Sequence, residues 1–77
     1  MLDYNEFKDE IKDTVGAAED FFDDDQIDAI AWTISHLDGF SLQNGDTLES
    51  VDDDVFWDIV KAIGDGEDYD APTDWRA

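Results

Sequence analysis

The chain has 77 residues, which allows one small domain. It holds 23 acidic residues against four Lys and Arg, giving a net charge of -19, and it contains no cysteine. A disulfide-stapled domain and a thiolate metal site are therefore excluded, and nucleic acid and anionic membranes would repel the chain. Because 42% of the residues are hydrophobic, there is nevertheless enough apolar material to form a core.

Three amphipathic helices are predicted from apolar residues that recur at spacings of three and four. The first runs from Tyr4 at least to Val15, and Gly16 is a candidate helix breaker. Asp23 and Gln26 have the spacing of a capping box, which predicts the start of the second helix. The apolar stripes of these two helices are Tyr4, Phe7, Ile11, Val15, Ala18 and Phe22, and then Ile27, Ile30, Ala31, Ile34 and Leu37. Gly39 is a common type of helix stop.

The third helix follows the turn dipeptide Asn44-Gly45 and is expected to end at Gly64. Its start would be capped by Ser50 with Asp53 or by Thr47 with Ser50. The apolar stripe is Leu48, Val51, Val55, Ile59, Ala62 and Ile63, widened by Phe56 and Val60. A β-hairpin within residues 40–48 is the minor alternative, because its second arm would use the start of this helix.

The predicted fold is all-α: a small three-helix bundle over residues 1–63, followed by an acidic and aromatic C-terminal tail over residues 64–77. The tail would pack on the bundle through Tyr69 and Trp75. No apolar run is long enough to cross a membrane, and the N-terminus lacks the features of a signal peptide. A cytoplasmic location is expected.

Catalytic and metal-binding patterns are missing from the sequence. One histidine and no cysteine leave no nucleophile–base pair, and neither a glycine-rich phosphate loop nor a zinc spacing occurs. Residues 38–49 have the length of a calcium-binding EF-hand loop, but Phe40 and Leu42 occupy ligand positions and Gln43 replaces the glycine. We therefore expect no enzyme activity, no cofactor and no dedicated metal site.

Acidic residues provide the strongest functional signal. Between Lys12 and Lys61 there are fourteen carboxylates and no Lys or Arg, an arrangement whose self-repulsion opposes folding. Two aspartate clusters lie at or just beyond helix starts, and each has a tryptophan nearby on the polar side of its helix. The residues predicted to contact a partner are Asp23, Asp24, Asp25, Asp28 and Trp32, with Asp52, Asp53, Asp54, Trp57 and Asp58.

The two tryptophans have competing explanations. Trp32 or Trp57 could anchor an interface, because tryptophan is enriched among interface hot spots. Trp57 could equally stack on Lys61 or pack against the tail. The wide apolar arc of the third helix could also serve a homodimer.

In charge, size and helical pattern the chain resembles the small acidic proteins, mostly from phages and mobile elements, that mimic DNA. Duplex DNA carries one charge per about 1.7 Å, so a charge of this size matches about 32 Å of duplex. The resemblance implies an inhibitor, active in the host cytoplasm, of a basic nucleic-acid-binding protein: a restriction, CRISPR, repair, transcription or nucleoid protein. It implies no direct nucleic-acid binding and no membrane partner. Two alternatives remain open: a salt-adapted acidic domain from a halophile, and an acidic partner, such as an antitoxin, of one basic protein.

Overall fold

Helices account for the regular structure of the chain. The computed structural model describes residues 3–18, 22–67, 69–70 and 72–77. The α-helices are α1 (Tyr4–Ala18), α2 (Asp24–Ser35) and α3 (Asp53–Asp65), with two short 3-10 turns between α2 and α3 at Leu42–Asn44 and Leu48–Ser50. Within these residues there is no strand, and the only β-pairing is an isolated antiparallel bridge between Val51 and Arg76. The predicted all-α three-helix bundle is confirmed.

An aspartate caps the start of each of these α-helices. Its carboxylate accepts a hydrogen bond from a backbone N–H that has no partner inside the helix, and its charge complements the helix dipole. The pairs are Asp3 with Glu6 (2.8 Å), Asp23 with Gln26 (2.8 Å) and Asp52 with Asp54 (2.9 Å). At Asp23 the predicted capping box is confirmed, because the Gln26 side chain also accepts from the Asp23 N–H.

The third helix begins at Asp53, later than either predicted cap implies, and its cap is Asp52 rather than Ser50 or Thr47. The cap formed by Thr47 and Ser50 exists, but it belongs to the 3-10 turn Leu48–Ser50. The backbone of Val51 is extended, and the Asp52 N–H donates to the Trp75 carbonyl oxygen at 2.8 Å. The C-terminal segment therefore forms a hydrogen bond with a backbone group that a continuous helix would have paired within itself.

Other boundaries also differ from the sequence pattern. Helix α2 ends at Ser35, before Leu37, although Leu37 is buried. Helix α3 continues through Gly64 and ends at Asp65, and the C-cap residue Gly66 has a φ of 73°, the left-handed conformation that glycine tolerates best. The hairpin considered for residues 40–48 does not form, since this segment contains the first 3-10 turn instead.

The core lies where α2 packs between α1 and α3. All five residues of the predicted α2 stripe are buried, as are the widening residues Phe56 and Val60 of α3. The remaining buried apolar residues are Phe7, Ile11, Val15, Phe40, Val51, Val55, Ile59 and Trp75. The predicted apolar stripes of the three helices thus supply most of the core.

Trp75 adds a distant segment to this core. Its side chain is only 2% exposed, and its ring centroid lies 5.6 Å from that of Phe40. Phe40 in turn lies 5.6 Å from Phe7, centroid to centroid. The indole N–H donates to the Asp38 carbonyl oxygen at 2.7 Å. The C-terminal segment therefore packs in the same core as the helices.

Gly16 does not break α1, and its replacement by alanine is expected to stabilise the protein. A Cβ added there would have no neighbour within 4 Å. The gain should be about 0.5–1 kcal/mol in unfolding free energy, because alanine loses less backbone entropy in a helix. Gly64→Ala is the matched control: its Cβ would lie 3.0 Å from the Phe22 ring, so its gain should be smaller or negative. Urea denaturation measures both, and a Gly16→Ala protein no more stable than Gly64→Ala would contradict the expectation.

Candidate partner-binding surface

Two ion pairs connect α1 and α2 and show the relative direction of the two helices. Lys8 pairs with Asp28 at 3.1 Å, and Lys12 pairs with Asp24 at 3.4 Å. Because the residue number rises along α1 while it falls along α2, the two helices are antiparallel. The hydrogen bond to Asp28 raises the pKa of Lys8. Two carboxylates of the predicted contact set are therefore partly neutralised by lysines of the same chain.

The two aspartate clusters lie at opposite ends of the α2–α3 pair. Phe22, just before α2, lies beside Gly64 near the end of α3. At the other end Trp75 joins both helices, since its indole donates to Asp38 after α2 and its carbonyl oxygen accepts from Asp52 before α3. The two helices are thus antiparallel, and the structure does not bring the clusters into one patch. They are instead distributed along a molecule whose longest extent is 31 Å.

Half of the predicted aspartates make capping hydrogen bonds or ion pairs within the chain. Asp23 and Asp52 are helix caps, and Asp24 and Asp28 are in ion pairs. The others are exposed, and within the described part of the chain their side chains make no hydrogen bond or ion pair; they are Asp25, Asp53, Asp54 and Asp58. Three of these lie on the first two turns of α3, and we call Asp53, Asp54 and Asp58 the α3 acidic patch.

Trp57 lies beside the α3 acidic patch and is 38% exposed. Its ring meets that of Phe56 edge to face, with 5.0 Å between centroids. Together with Leu48, Glu49 and Asp53 it lines a shallow groove of about 160 Å³. The patch therefore places exposed carboxylates beside an accessible aromatic edge. The prediction that these residues contact a partner remains a prediction.

Trp32 is more exposed, at 58%, and lies on a different groove. Its ring stacks on that of His36, with 4.1 Å between centroids and 22° between planes. We call the adjoining cavity of about 610 Å³ the Trp32 groove; its walls include Tyr69 and Pro72 from the C-terminal segment. The helical pattern alone could not reveal this groove, because it depends on the path of the chain after α3.

Arg76 forms the third ion pair among the described residues and attaches the C-terminal segment to the loop after α2. Its guanidinium donates to Asp46 at 2.9 Å and lies 4.6 Å from the centre of the Trp75 ring. Asp46 also accepts from the Ser41 N–H at 2.9 Å. Three of the four cations are therefore paired internally, and Lys61 is the one with no ion pair among the described residues.

Replacement of Asp46 by asparagine is expected to lower the melting temperature by a few degrees at pH 7 but not near pH 2. Arg76, followed by the Ser41 N–H, lowers the pKa of Asp46 from 3.8 to about 2. Folding thus favours the ionised carboxylate, so its contribution is complete above about pH 4 and is lost as the pH falls through the folded pKa. Thermal melts of wild type and Asp46→Asn from pH 7 to 2 measure the difference. Asp74→Asn, an exposed control, should show no comparable difference, and an Asp46→Asn deficit undiminished at pH 2 would contradict the lowered pKa.

Neither a membrane-spanning helix nor a metal-binding cluster is found among the residues that the structure describes. No helix among them combines the length and apolar character needed to cross a membrane. They contain no group of three or more potential metal-ligating side chains arranged to hold an ion. No protein-family model, curated protein or solved structure matches the chain.

Proposed function

We propose that this protein is a non-enzymatic DNA mimic that binds the basic surface of a nucleic-acid-binding protein and competes with DNA or RNA. The observation that carries the proposal is the distribution of unpaired charge. Three of the four Lys and Arg side chains are paired within the chain, while aspartates without an ion pair among the described residues remain in the first turns of α2 and α3. The longest extent of the molecule is 31 Å. A duplex with the same net charge would be about 32 Å long. Charge and length therefore agree with a short DNA segment.

The short side chains of the α3 acidic patch keep its charge close to the helix backbone. Eighteen of the carboxylates are aspartate and five are glutamate. The shorter side chain has fewer rotatable bonds, so less rotamer entropy is lost when a partner's Lys or Arg binds it. Opposite fields would steer the two proteins together, and Trp57 or Trp32 would supply apolar contact after encounter.

Such an inhibitor would be typical of a phage or mobile element acting on a host restriction, CRISPR, repair, transcription or nucleoid protein. An acidic antitoxin would use a similar surface, but its binding need not displace nucleic acid. A salt-adapted domain requires solvated carboxylates and has no need of a tryptophan that is 58% exposed. Competition with DNA is therefore the property that separates the proposal from both alternatives.

The proposal is tested by displacement of a labelled DNA duplex from a panel of purified proteins, one from each of these target classes. Wild type should displace the duplex from at least one of them. Asp53→Asn, Asp54→Asn and Asp58→Asn combined should raise the half-displacing concentration about tenfold, because three charged contacts are lost. The matched control is Asp9→Asn, Glu10→Gln and Asp13→Asn, which removes the same charge from exposed positions of α1.

This α1 triple variant should change the half-displacing concentration by less than about threefold, because it alters only the overall electrostatic field of the protein. Equal losses in the two triple variants would mean that bulk charge, and not the α3 acidic patch, directs binding. Failure of the wild-type protein to displace DNA from any member of the panel would count against mimicry of these targets.

A further inference from the structure

We propose that the Trp32 groove receives an arginine side chain of the basic partner. This inference rests on the proposed function for the nature of the partner, and it adds a specific site and a specific side chain. The site lies on the α2 side of the molecule, with walls from the end of α2, the end of α3 and the C-terminal segment. It is separate from the groove beside Trp57.

The first argument is the exposed aromatic surface. Trp32 keeps 58% of its surface accessible although His36 stacks on its ring. Tyr69 and Pro72 contribute further flat surface to the same groove. A guanidinium group is planar and weakly hydrated, so it stacks on aromatic faces more readily than a lysine ammonium.

The second argument is charge complementarity. The same groove is lined by the acidic residues Asp38, Glu67 and Asp70, all of them exposed. None of the three is in an ion pair within the described residues. A guanidinium carries five N–H donors and can bond to carboxylates while its plane remains stacked. Aromatic surface and carboxylates therefore favour the same side chain.

Other occupants fit less well. An anionic ligand would meet three carboxylates, and a purely apolar segment would remove them from water without supplying hydrogen bonds. The groove volume of about 610 Å³ exceeds one side chain, which leaves space for the residues on either side of the arginine. The chemistry thus points to an arginine within a basic protein surface.

The test uses hexa-arginine and hexalysine peptides, titrated into the full chain by calorimetry at physiological salt. Trp32→Ala should weaken hexa-arginine binding about tenfold, since a desolvated cation–π contact is lost. Tyr4→Ala is the matched control, because Tyr4 is an exposed aromatic residue of α1 that lines neither groove, and it should change the affinity by less than about twofold. Trp32→Phe should retain part of the affinity, and Trp32→Ala should weaken hexalysine less than hexa-arginine. Circular dichroism would verify that each variant is folded.

Two results would overturn the inference: equal weakening by Trp32→Ala and Tyr4→Ala, or no effect of either. Hexalysine binding that depends on Trp32 as strongly as hexa-arginine binding does would overturn the choice of arginine. The DNA-displacement assay keeps the two proposals distinct. Trp32-dependent peptide binding without any DNA displacement would support the groove and count against mimicry, whereas displacement with Trp32-independent peptide binding would do the reverse.

Discussion

Replacement of Trp75 by alanine is expected to lower the free energy of unfolding by about 3–5 kcal/mol. The side chain is 2% exposed and packs on Phe40, and its indole N–H bonds to the Asp38 carbonyl oxygen. Its loss would leave a large cavity between the helices and the C-terminal segment. A domain of this size has a total stability of only about 4–12 kcal/mol, so this loss would remove a large share of it.

Urea denaturation followed by circular dichroism measures this loss, and Trp57→Ala is the matched control. The chemical change is the same, but Trp57 is 38% exposed and Trp75 only 2%, so the expected loss is smaller at Trp57. Trp75→Phe should be intermediate, because it keeps apolar contacts while removing the N–H donor. Equal losses at Trp75 and Trp57 would show that the C-terminal segment does not belong to the core.

Raising the KCl concentration from about 0.01 M to about 0.5 M is expected to raise the melting temperature by about 10 °C or more. The screening length is about 30 Å at the lower concentration, comparable to the 31 Å length of the molecule. Nearly all the carboxylates therefore repel one another there. The same salt also screens the exposed ion pairs, but these are three attractive contacts against a net charge of -19.

Thermal melts in KCl measure this dependence, and chloride is preferred to sulfate because sulfate strengthens apolar burial directly. The triple variant at Asp9, Glu10 and Asp13 should show a weaker salt dependence than wild type, since it carries less charge. A melting temperature that is flat or falls with KCl would show that self-repulsion is not a major cost. Unfolding at about 0.1 M KCl with recovery only at molar salt would favour the halophile alternative.

Local patterns predicted the helices well because helix formation depends on neighbours within one or two turns. The capping box at Asp23 and Gln26 and the buried stripe of α2 both follow from spacings of three and four residues. The predicted start of α3 was wrong because the observed start depends on contacts with residues far away in the sequence. Val51 bridges to Arg76, and Asp52 donates to Trp75, contacts that no local pattern contains.

For the candidate surface, too, some features followed from the sequence and others depended on the tertiary structure. The sequence by itself determined how much acid the chain carries, that it lies in two clusters, and that a tryptophan accompanies each. Only the tertiary structure decided which of the predicted carboxylates are in ion pairs, because Asp24 and Asp28 pair with lysines of the neighbouring helix α1. The Trp32 groove likewise exists because the C-terminal segment returns past α2. Charge is a property of composition, whereas pairing and concavity are properties of which distant segments pack together.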